Sequence, residues 1–359
     1  MEGLPPRRAF ALSDIPWTII RLLRKGAIVS LPIAGHFTVA RLRGSFYQEF
    51  RTPSATVREN LRIALNGKLK PSEIERVARQ YYAFSKRLYL WKVLPLHPGF
   101  RSRTWPIRGL ENLEHAVKSN RGVILVTAHL GYPHIIPAVL AIQGYEVRQV
   151  VAEIDRVEKN RSVEEWLERT TKLRKAVYNH TRVLMGQLGP RDLVASFDVR
   201  PILGALSNKE IVMIAGDGLR STQFIELSLF ERPYPFPTGF IRIAEMTDAT
   251  VIPVFAVPDE EGTNITVEIH EPLLIRPGQT LAENIQLFAK VLGDKLNSTP
   301  HLWHRWDRPK WFEEARDWAG QVASKDPFRS RRKAPKAQKR TMGRLLARKV
   351  RQAFRADAG

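Results

Sequence analysis

The residues Gly122–Tyr145 constrain the fold more than any other part of the chain. An uninterrupted apolar run, Val123–Thr127, leads into Ala128 and His129, and a turn containing glycine and proline follows. A longer apolar run, Ile135–Ile142, leaves this turn. A short run bounded by turn residues is typical of a buried strand, and the run after the turn is interpreted as a helix. The segment therefore predicts a strand, a loop and a helix, with His129 where the strand ends.

Apolar runs of similar length recur along the chain and alternate with helical patterns. Further strands are predicted at Glu146–Ala152, Arg182–Met185, Ile211–Ala215, Thr250–Val257 and Thr266–His270, and helices at 54–95, 111–119, 160–178, Val199–Asn208 and 281–297. Alternation of this kind is typical of βαβ units. We therefore predict an α/β fold, with a mixed, mainly parallel sheet flanked by helices.

The distribution of apolar and charged residues divides the chain into three predicted parts. Residues 1–100 are expected to form a helical N-terminal subdomain that associates with a membrane, residues 101–324 the α/β domain, and residues 325–359 a basic, partly disordered tail. The apolar helical pattern of the first fifty residues is expected to break near Pro32 and Gly35.

The positive charge of the chain is concentrated at its two ends. The formal net charge is +21, and from Lys325 onward 13 Lys or Arg residues are opposed only by Asp326 and Asp357. Basic ends attract a polyanion, either an anionic membrane surface or a nucleic acid. The tail ends in a basic amphipathic segment, and many aromatic residues lie on apolar stripes, so a membrane is favoured over nucleic acid.

The apolar segment Ile28–Ala40 is the best candidate for membrane contact near the N-terminus. It is 13 residues long, and basic residues flank it on both sides. A helix that spans a bilayer needs roughly 20 apolar residues. The segment therefore predicts an interfacial or re-entrant helix, and a buried amphipathic helix of a soluble domain is the alternative.

Two predicted strand ends carry side chains suited to catalysis. His129 follows the first strand, and Asp217 follows the strand Ile211–Ala215 after one glycine. Ligands of open α/β sheets bind at the carboxyl ends of strands, so both residues are candidates for a site. A neutral imidazole there can take a proton from a hydroxyl or amine that attacks a carbonyl. The chain has no cysteine, which excludes a thiolate nucleophile and cysteine-based zinc sites.

Several of these blocks together resemble the bacterial lipid A late acyltransferases, a membrane-associated family that includes phosphatidylinositol mannoside acyltransferases. The hallmark of the family is a histidine followed five positions later by Asp or Glu, after an apolar strand that begins with Gly-Val. The similar blocks are Gly122–Gly131, Ile211–Asp217, Leu229–Pro233 read as a loop, Pro237–Gly239, Phe240–Phe255 and Pro300–Trp306. Glu231 stands where the family often has glycine, and the resemblance covers about residues 10–310.

The chain departs from this family at position 134, where His134 replaces the acid of the motif. A second imidazole can accept a hydrogen bond from the first, but it cannot stabilise the imidazolium charge. Three interpretations stay open. The enzyme is active through a His129–His134 pair or a borrowed carboxylate such as Asp217 or Glu153, or it is a degenerate member that binds acyl chains or lipid without turnover. A metal held by the two histidines is disfavoured, because this spacing with no nearby third ligand matches no common site.

The resemblance implies acyl transfer at the cytoplasmic face of the bacterial inner membrane. His129 would deprotonate a hydroxyl or amine of a lipid A-like or other glycolipid or aminolipid acceptor, and Asp217 would position the acceptor or support His129. The acyl thioester donor would be acyl-CoA or acyl carrier protein, and no cofactor or metal is expected. The arginines would hold phosphate groups, and the Thr-Gly pair would shape the site. The expected substrate-binding residues are Arg200, Arg220, Arg232, Thr238 and Gly239.

Overall fold

The structure, a computed structural model, describes most of the chain between Pro32 and Asp307. The described residues are 32–65, 67–151, 193–194, 199–218, 221, 223–260, 264–276 and 278–307. The predicted helix at 160–178, the predicted strand Arg182–Met185, the start of the segment Ile28–Ala40 and the basic tail lie outside these residues.

The described strands form one seven-stranded sheet and a separate hairpin. They are β1 (Ile107–Arg108), β2 (Val123–Thr127), β3 (Val147–Val151), β4 (Leu193–Val194), β5 (Ile211–Ala215), β6 (Phe224–Leu229), β7 (Arg232–Pro237), β8 (Thr250–Pro258) and β9 (Ile265–Ile269). The order across the large sheet is β1-β9-β8-β2-β5-β3-β4. Its strand pairs are parallel except β8 with β9, which is antiparallel. The predicted α/β fold with a mixed, mainly parallel sheet is confirmed.

The described helices alternate with the strands after an all-helical beginning. They are α1 (Ile33–Phe50), α2 (Ala55–Leu65), α3 (Pro71–Val93), α4 (Gly99–Ser102), α5 (Leu110–Lys118), α6 (Ile136–Ile142), α7 (Arg200–Ser207), α8 (Gly239–Thr247) and α9 (Leu281–Ser298). Short 3-10 turns at Pro133–Ile135 and Pro300–Leu302 precede α6 and follow α9.

The first described helix differs from the sequence-based expectation at Gly35. Helix α1 begins directly after Pro32, as expected, but it continues through Gly35 without a break. A glycine inside a helix costs only about 1 kcal/mol relative to alanine. Burial of Phe37 and Ala40 and the packing of α1 against α3 offset this cost. Among the described helices, none is long and apolar enough to cross a membrane.

Strand β2 occupies the centre of the sheet, between β8 and β5. All five of its residues are buried, which explains why its sequence is an unbroken apolar run rather than an alternating one. Strands β2 and β5 are parallel, with Thr127 paired to Ala215. The residues that follow the two strands therefore leave the sheet side by side, and this brings His129 next to Asp217.

The hairpin of β6 and β7 corrects the loop that was predicted around Glu231. Phe230 and Glu231 form its turn with φ values of 55° and 59°, as in a type I′ turn. In such a hairpin, the residue pair next to the two-residue turn is hydrogen-bonded. Pairs further along the two strands then alternate between non-hydrogen-bonded and hydrogen-bonded. The prolines of β7 occupy the non-hydrogen-bonded positions, where the missing backbone N–H removes no hydrogen bond between the two strands. They are Pro233, Pro235 and Pro237, opposite Ser228, Glu226 and Phe224.

Candidate active site

The loops that follow β2 and β5 bring His129 and Asp217 into direct contact. Nδ1 of His129 lies 2.7 Å from Oδ1 of Asp217. The backbone N–H of His129 donates to both carboxylate oxygens at 3.1 Å. One carboxylate thus holds both the ring and the backbone of the histidine, which fixes the orientation of the imidazole.

Asp217 is fully buried and held by further hydrogen bonds. The indole Nε1–H of Trp303 donates to Oδ2 at 3.1 Å, and the hydroxyl of Tyr234 donates to the backbone oxygen of Asp217 at 3.1 Å. Burial acts to raise the pKa of the carboxyl. The charge and hydrogen bond of His129 when its ring is protonated, the charge of Arg305 and the Trp303 hydrogen bond outweigh it and hold the pKa well below its usual range. Asp217 is therefore ionised at neutral pH and accepts hydrogen bonds.

Arg305 places a guanidinium beside the same pair. Its Nη2 lies 2.8 Å from Nδ1 of His129, and its Nε lies 4.0 Å from Oδ2 of Asp217. A single ring nitrogen cannot both donate to Asp217 and accept from Arg305. The ionised carboxylate has no proton to offer, so we assign the Nδ1–H tautomer to His129, with Arg305 balancing the charge of Asp217. This leaves Nε2 unprotonated on a side chain that is 38% exposed.

The segment that follows α9 closes the site against the loop after β2. The N–H of Gly131 donates to the backbone oxygen of Leu302 at 3.0 Å, and the N–H of His304 donates to that of His129 at 2.9 Å. Nε2 of His304 lies 2.7 Å from the backbone oxygen of Gly131. These contacts join the segment to the loop that carries His129, so they fix the position of this loop.

Trp303 and Arg305 are site residues that the sequence analysis did not predict. Both lie in the segment Pro300–Trp306. This segment resembles the family, but the resemblance assigned no role to either residue. Trp303 is 86 positions from Asp217 along the chain, so no local pattern connects them. The signal that could have found them is the concentration of tryptophan, histidine and arginine in this short segment.

His134 is the exposed residue of the 3-10 turn Pro133–Ile135 and lines a shallow cleft beside His304. Nδ1 of His129 is in contact with Asp217, so a carboxylate outside the motif position orients the ring. Of the two carboxylates considered as substitutes, Asp217 makes this contact. In the described part of the chain, no group of three or more His, Asp or Glu residues is arranged to hold a metal ion.

Four of the five predicted substrate-binding residues lie at the hairpin and at the start of α7. Thr238 is buried, and its backbone N–H and Oγ1 donate to the backbone oxygen of Gln223 at 3.1 and 3.3 Å. It thus holds the base of the hairpin where Gly239 begins α8. Arg232 is exposed beside the hairpin turn, and Arg200 is exposed at the first residue of α7. Arg220 and Glu153 lie outside the described residues.

The fold and the site define the class of protein. A histidine oriented by a buried, ionised aspartate lies at the carboxyl ends of two adjacent parallel strands, which is an arrangement for general base catalysis. The sequence pattern of the family described as bacterial lipid A biosynthesis acyltransferase matches residues 18–311. The chain belongs to this family, and it is an acyltransferase of lipid biosynthesis.

Comparison with individual proteins adds little to the family match. A search of curated proteins finds no match to this chain. Among solved structures, the chain is similar to the crystal structure of the 1-acyl-sn-glycerophosphate (LPA) acyltransferase PlsC from Thermotoga maritima. The sequence identity is 14%, the TM-score is 0.31, and the alignment covers 74% of this chain and 95% of that chain. A similarity at this level supports no inference about function.

Proposed function

We propose that this protein is a membrane-associated acyltransferase that moves a fatty acyl group from an acyl thioester to a hydroxyl or amine of a lipid. His129 is the general base. The observation that carries this assignment is the 2.7 Å contact between Nδ1 of His129 and the buried carboxylate of Asp217. A carboxylate on Nδ1 favours the tautomer in which Nε2 can accept a proton.

In the proposed reaction, Nε2 of His129 takes the proton of the acceptor as its oxygen or nitrogen attacks the thioester carbonyl carbon. The tetrahedral intermediate then collapses, the carbon–sulfur bond breaks, and the imidazolium gives its proton to the leaving thiolate. The products are an ester or amide of the lipid and a free thiol on the carrier. Direct transfer needs no acyl-enzyme, and the chain has no cysteine that could form a thioester with the acyl group.

Asp217 stabilises the imidazolium that forms in this step, as the aspartate does in serine hydrolase triads. It supplies the charge that the motif lacks at position 134. Arg305 balances the charge of Asp217 while His129 is neutral, and the Trp303 hydrogen bond restrains rotation of the carboxylate. The contact with Asp217 supports an active enzyme over a degenerate member that binds lipid without turnover.

One face of α1 supports the proposed membrane association. Four large apolar side chains, spaced three or four positions apart, share this face of the helix. Their exposed fractions are 49% for Val39, 62% for Leu42, 48% for Phe46 and 72% for Phe50. Beside this face, the ammonium of Lys86 lies 5.2 Å from the ring centroid of Tyr47 and 4.7 Å from that of Tyr82. Apolar residues bordered by aromatic rings and cations suit a helix that lies at the headgroup level of an anionic membrane.

The experiment that tests the function is an acyl transfer assay with product identification. The purified chain is incubated with bacterial lipid extract and with acyl-CoA or acyl carrier protein donors of several chain lengths, and new lipids are identified by mass spectrometry. We expect a new acylated lipid with the wild type and a loss of about 10²- to 10⁴-fold with His129→Ala. His115→Ala, an exposed change on α5, is the matched control.

Two results of this assay would contradict parts of the proposal. If His129→Ala transfers acyl groups as fast as the wild type, His129 is not the base. If the wild type binds acyl chains or lipid but acylates nothing with any donor, the degenerate interpretation is correct. The identity of the new lipid also distinguishes an O-acyl from an N-acyl product.

A further inference from the structure

Arg87 of α3 is buried, and no carboxylate among the described residues is hydrogen-bonded or ion-paired to it. Its side chain is 9% exposed, and its Nε has no hydrogen-bond partner among the described residues. Burial lowers the pKa of the guanidinium, and electrostatic interactions with Tyr132 and Asp259 act in the opposite direction. Arginine is seldom buried unless it is paired, because removing an uncompensated charge from water is costly. The buried guanidinium therefore reduces the stability of the free protein.

Helix α1 is shaped to make room for this guanidinium. Gly44 of α1 faces Arg87, and a Cβ added at Gly44 would overlap Nε and the carbon of the guanidinium. Arg87 thus lies in the crossing of α1 and α3, in space that a side chain at position 44 would share with the guanidinium. A buried charge without a partner is costly, so an anion that pairs with it would be favoured at this position.

Helix α3 carries Arg87 next to residues that border the cleft beside His134 and His304. Phe84, three positions earlier, packs its ring 5.3 Å from that of Tyr132 and 5.6 Å from that of His304. Leu88 lines the cleft together with His304. Arg87 is one turn after Phe84 and adjacent to Leu88 in the sequence, so it lies next to the part of α3 that borders this cleft.

Positive charge exceeds negative charge around Arg87. Asp259 is exposed, and its charge acts on Arg103 as well as on Arg87. Burial, together with the charges of Arg87 and Arg76, lowers the pKa of His301 to about 4, so this imidazole is neutral at pH 7. One shared carboxylate cannot neutralise both guanidinium groups, and the surroundings of Arg87 favour an anion.

We propose that Arg87 binds a phosphate group of a substrate where α1 and α3 border the cleft beside His134 and His304. This inference rests on the proposed function, because both substrate classes, acyl carriers and membrane lipids, bring phosphate groups to the site. A guanidinium binds phosphate through parallel charge-assisted hydrogen bonds, and a bound phosphate supplies the counter-charge that is missing in the free protein. The group at Arg87 anchors the substrate, while His129 acts on its reacting end.

Binding measurements with matched probes test this inference without any need for turnover. The full chain is titrated with coenzyme A and with pantetheine, and separately with a monoacylglycerol phosphate and the corresponding monoacylglycerol. We expect the wild type to prefer the phosphate-bearing member of one pair by about tenfold to a hundredfold. The pair that shows the preference identifies the source of the phosphate, carrier or lipid. Arg87→Met should abolish the preference and leave the phosphate-free probe unaffected.

Thermal unfolding separates a binding role from a structural one. Arg87→Met should leave the melting temperature of the free protein unchanged or higher, because an apolar chain of similar length replaces a buried charge. Arg79→Met, on the same helix with its guanidinium paired to Glu75 at 3.2 Å, is the control and should keep the preference. Arg87→Lys keeps the charge but loses the paired hydrogen bonds, so it should reduce the preference without unfolding the protein.

Three results would overturn the inference. They are an Arg87→Met variant that keeps the phosphate preference, one that weakens both members of a pair equally, and one that melts well below the wild type while Arg87→Lys binds normally. A wild type with no preference in either pair overturns it as well. Absence of acyl transfer with the preference intact would instead count against the proposed function alone.

Discussion

Replacing Asp217 by asparagine is predicted to remove nearly all acyl transfer while leaving the protein folded. Oδ1 lies 2.7 Å from Nδ1 of His129, both oxygens accept from the backbone N–H of His129, and Oδ2 accepts from Trp303. An amide has one oxygen and one NH₂ group, so it cannot accept on both sides. Its NH₂ group must face either Nδ1 or the two N–H donors.

Both orientations have a calculable cost. If the NH₂ group faces Nδ1, the ring proton moves to Nε2 and the base is lost; the equivalent change in a serine protease triad lowers turnover by about 10⁴-fold. If the NH₂ group faces the two N–H donors instead, buried hydrogen-bond donors point at one another and stay unsatisfied. The free energy of unfolding then falls by about 1–3 kcal/mol. The retained hydrogen bond at Nδ1 would then lack the negative charge that stabilises the imidazolium. We expect kcat to fall by about 10³- to 10⁴-fold.

The assay compares initial rates of lipid acylation at saturating donor, with urea unfolding of each variant as the check on folding. Asp248→Asn is the matched control, because this side chain is 85% exposed in a surface pair with Arg121 at 3.4 Å. It should leave both the rate and the unfolding midpoint unchanged. A folded Asp217→Asn variant that keeps more than about a tenth of the wild-type kcat would refute the reasoning, since a tautomer change cannot be that mild.

Three further changes test other parts of the molecule. His134→Glu should alter kcat by less than about tenfold, because Asp217 already contacts Nδ1; a large gain would mean that position 134 lacks an acid the reaction needs. Leu42→Glu combined with Phe46→Glu should release the protein from anionic vesicles in a sedimentation assay, and unchanged binding would exclude α1 as the contact. The pKa of His301 is about 4 in the folded state and 6.5 as a free side chain. The unfolded state therefore binds more protons in this range, and the unfolding free energy should fall as pH drops from 6.5 towards 4, by about 2 kcal/mol at pH 5. Urea titrations at pH 7 and pH 5 should show this loss in the wild type and lack it in His301→Gln.

The sheet could be predicted from sequence where a strand is buried on both faces. Strands β2 and β5 begin and end at the predicted residues, because their apolar runs are bounded by glycine or polar residues. The order of the strands could not be predicted in the same way. The pairing of Thr127 with Ala215 depends on packing between distant parts of the chain, and it is this pairing that brings His129 to Asp217.

The hairpin and the closing segment show where sequence patterns fail for physical reasons. Phe230 and Glu231 adopt positive φ without the Asn or Gly that usually marks such a turn. The ring centroid of Phe230 lies 6.0 Å from that of Trp303 and 5.7 Å from that of Trp306, so tertiary packing stabilises a turn that local preference does not. The same distant segment supplies Arg305 to the site, and no local pattern reveals that contact.

The most direct test of His129 as a base oriented by Asp217, rather than by position 134, compares His129→Ala with His134→Ala. The single-turnover rate of acyl transfer to the lipid is measured for both variants under the same conditions. We predict that His129→Ala falls by about 10²- to 10⁴-fold and that His134→Ala stays within about tenfold of the wild type. Equal losses in the two variants, or a larger loss in His134→Ala, would contradict this assignment.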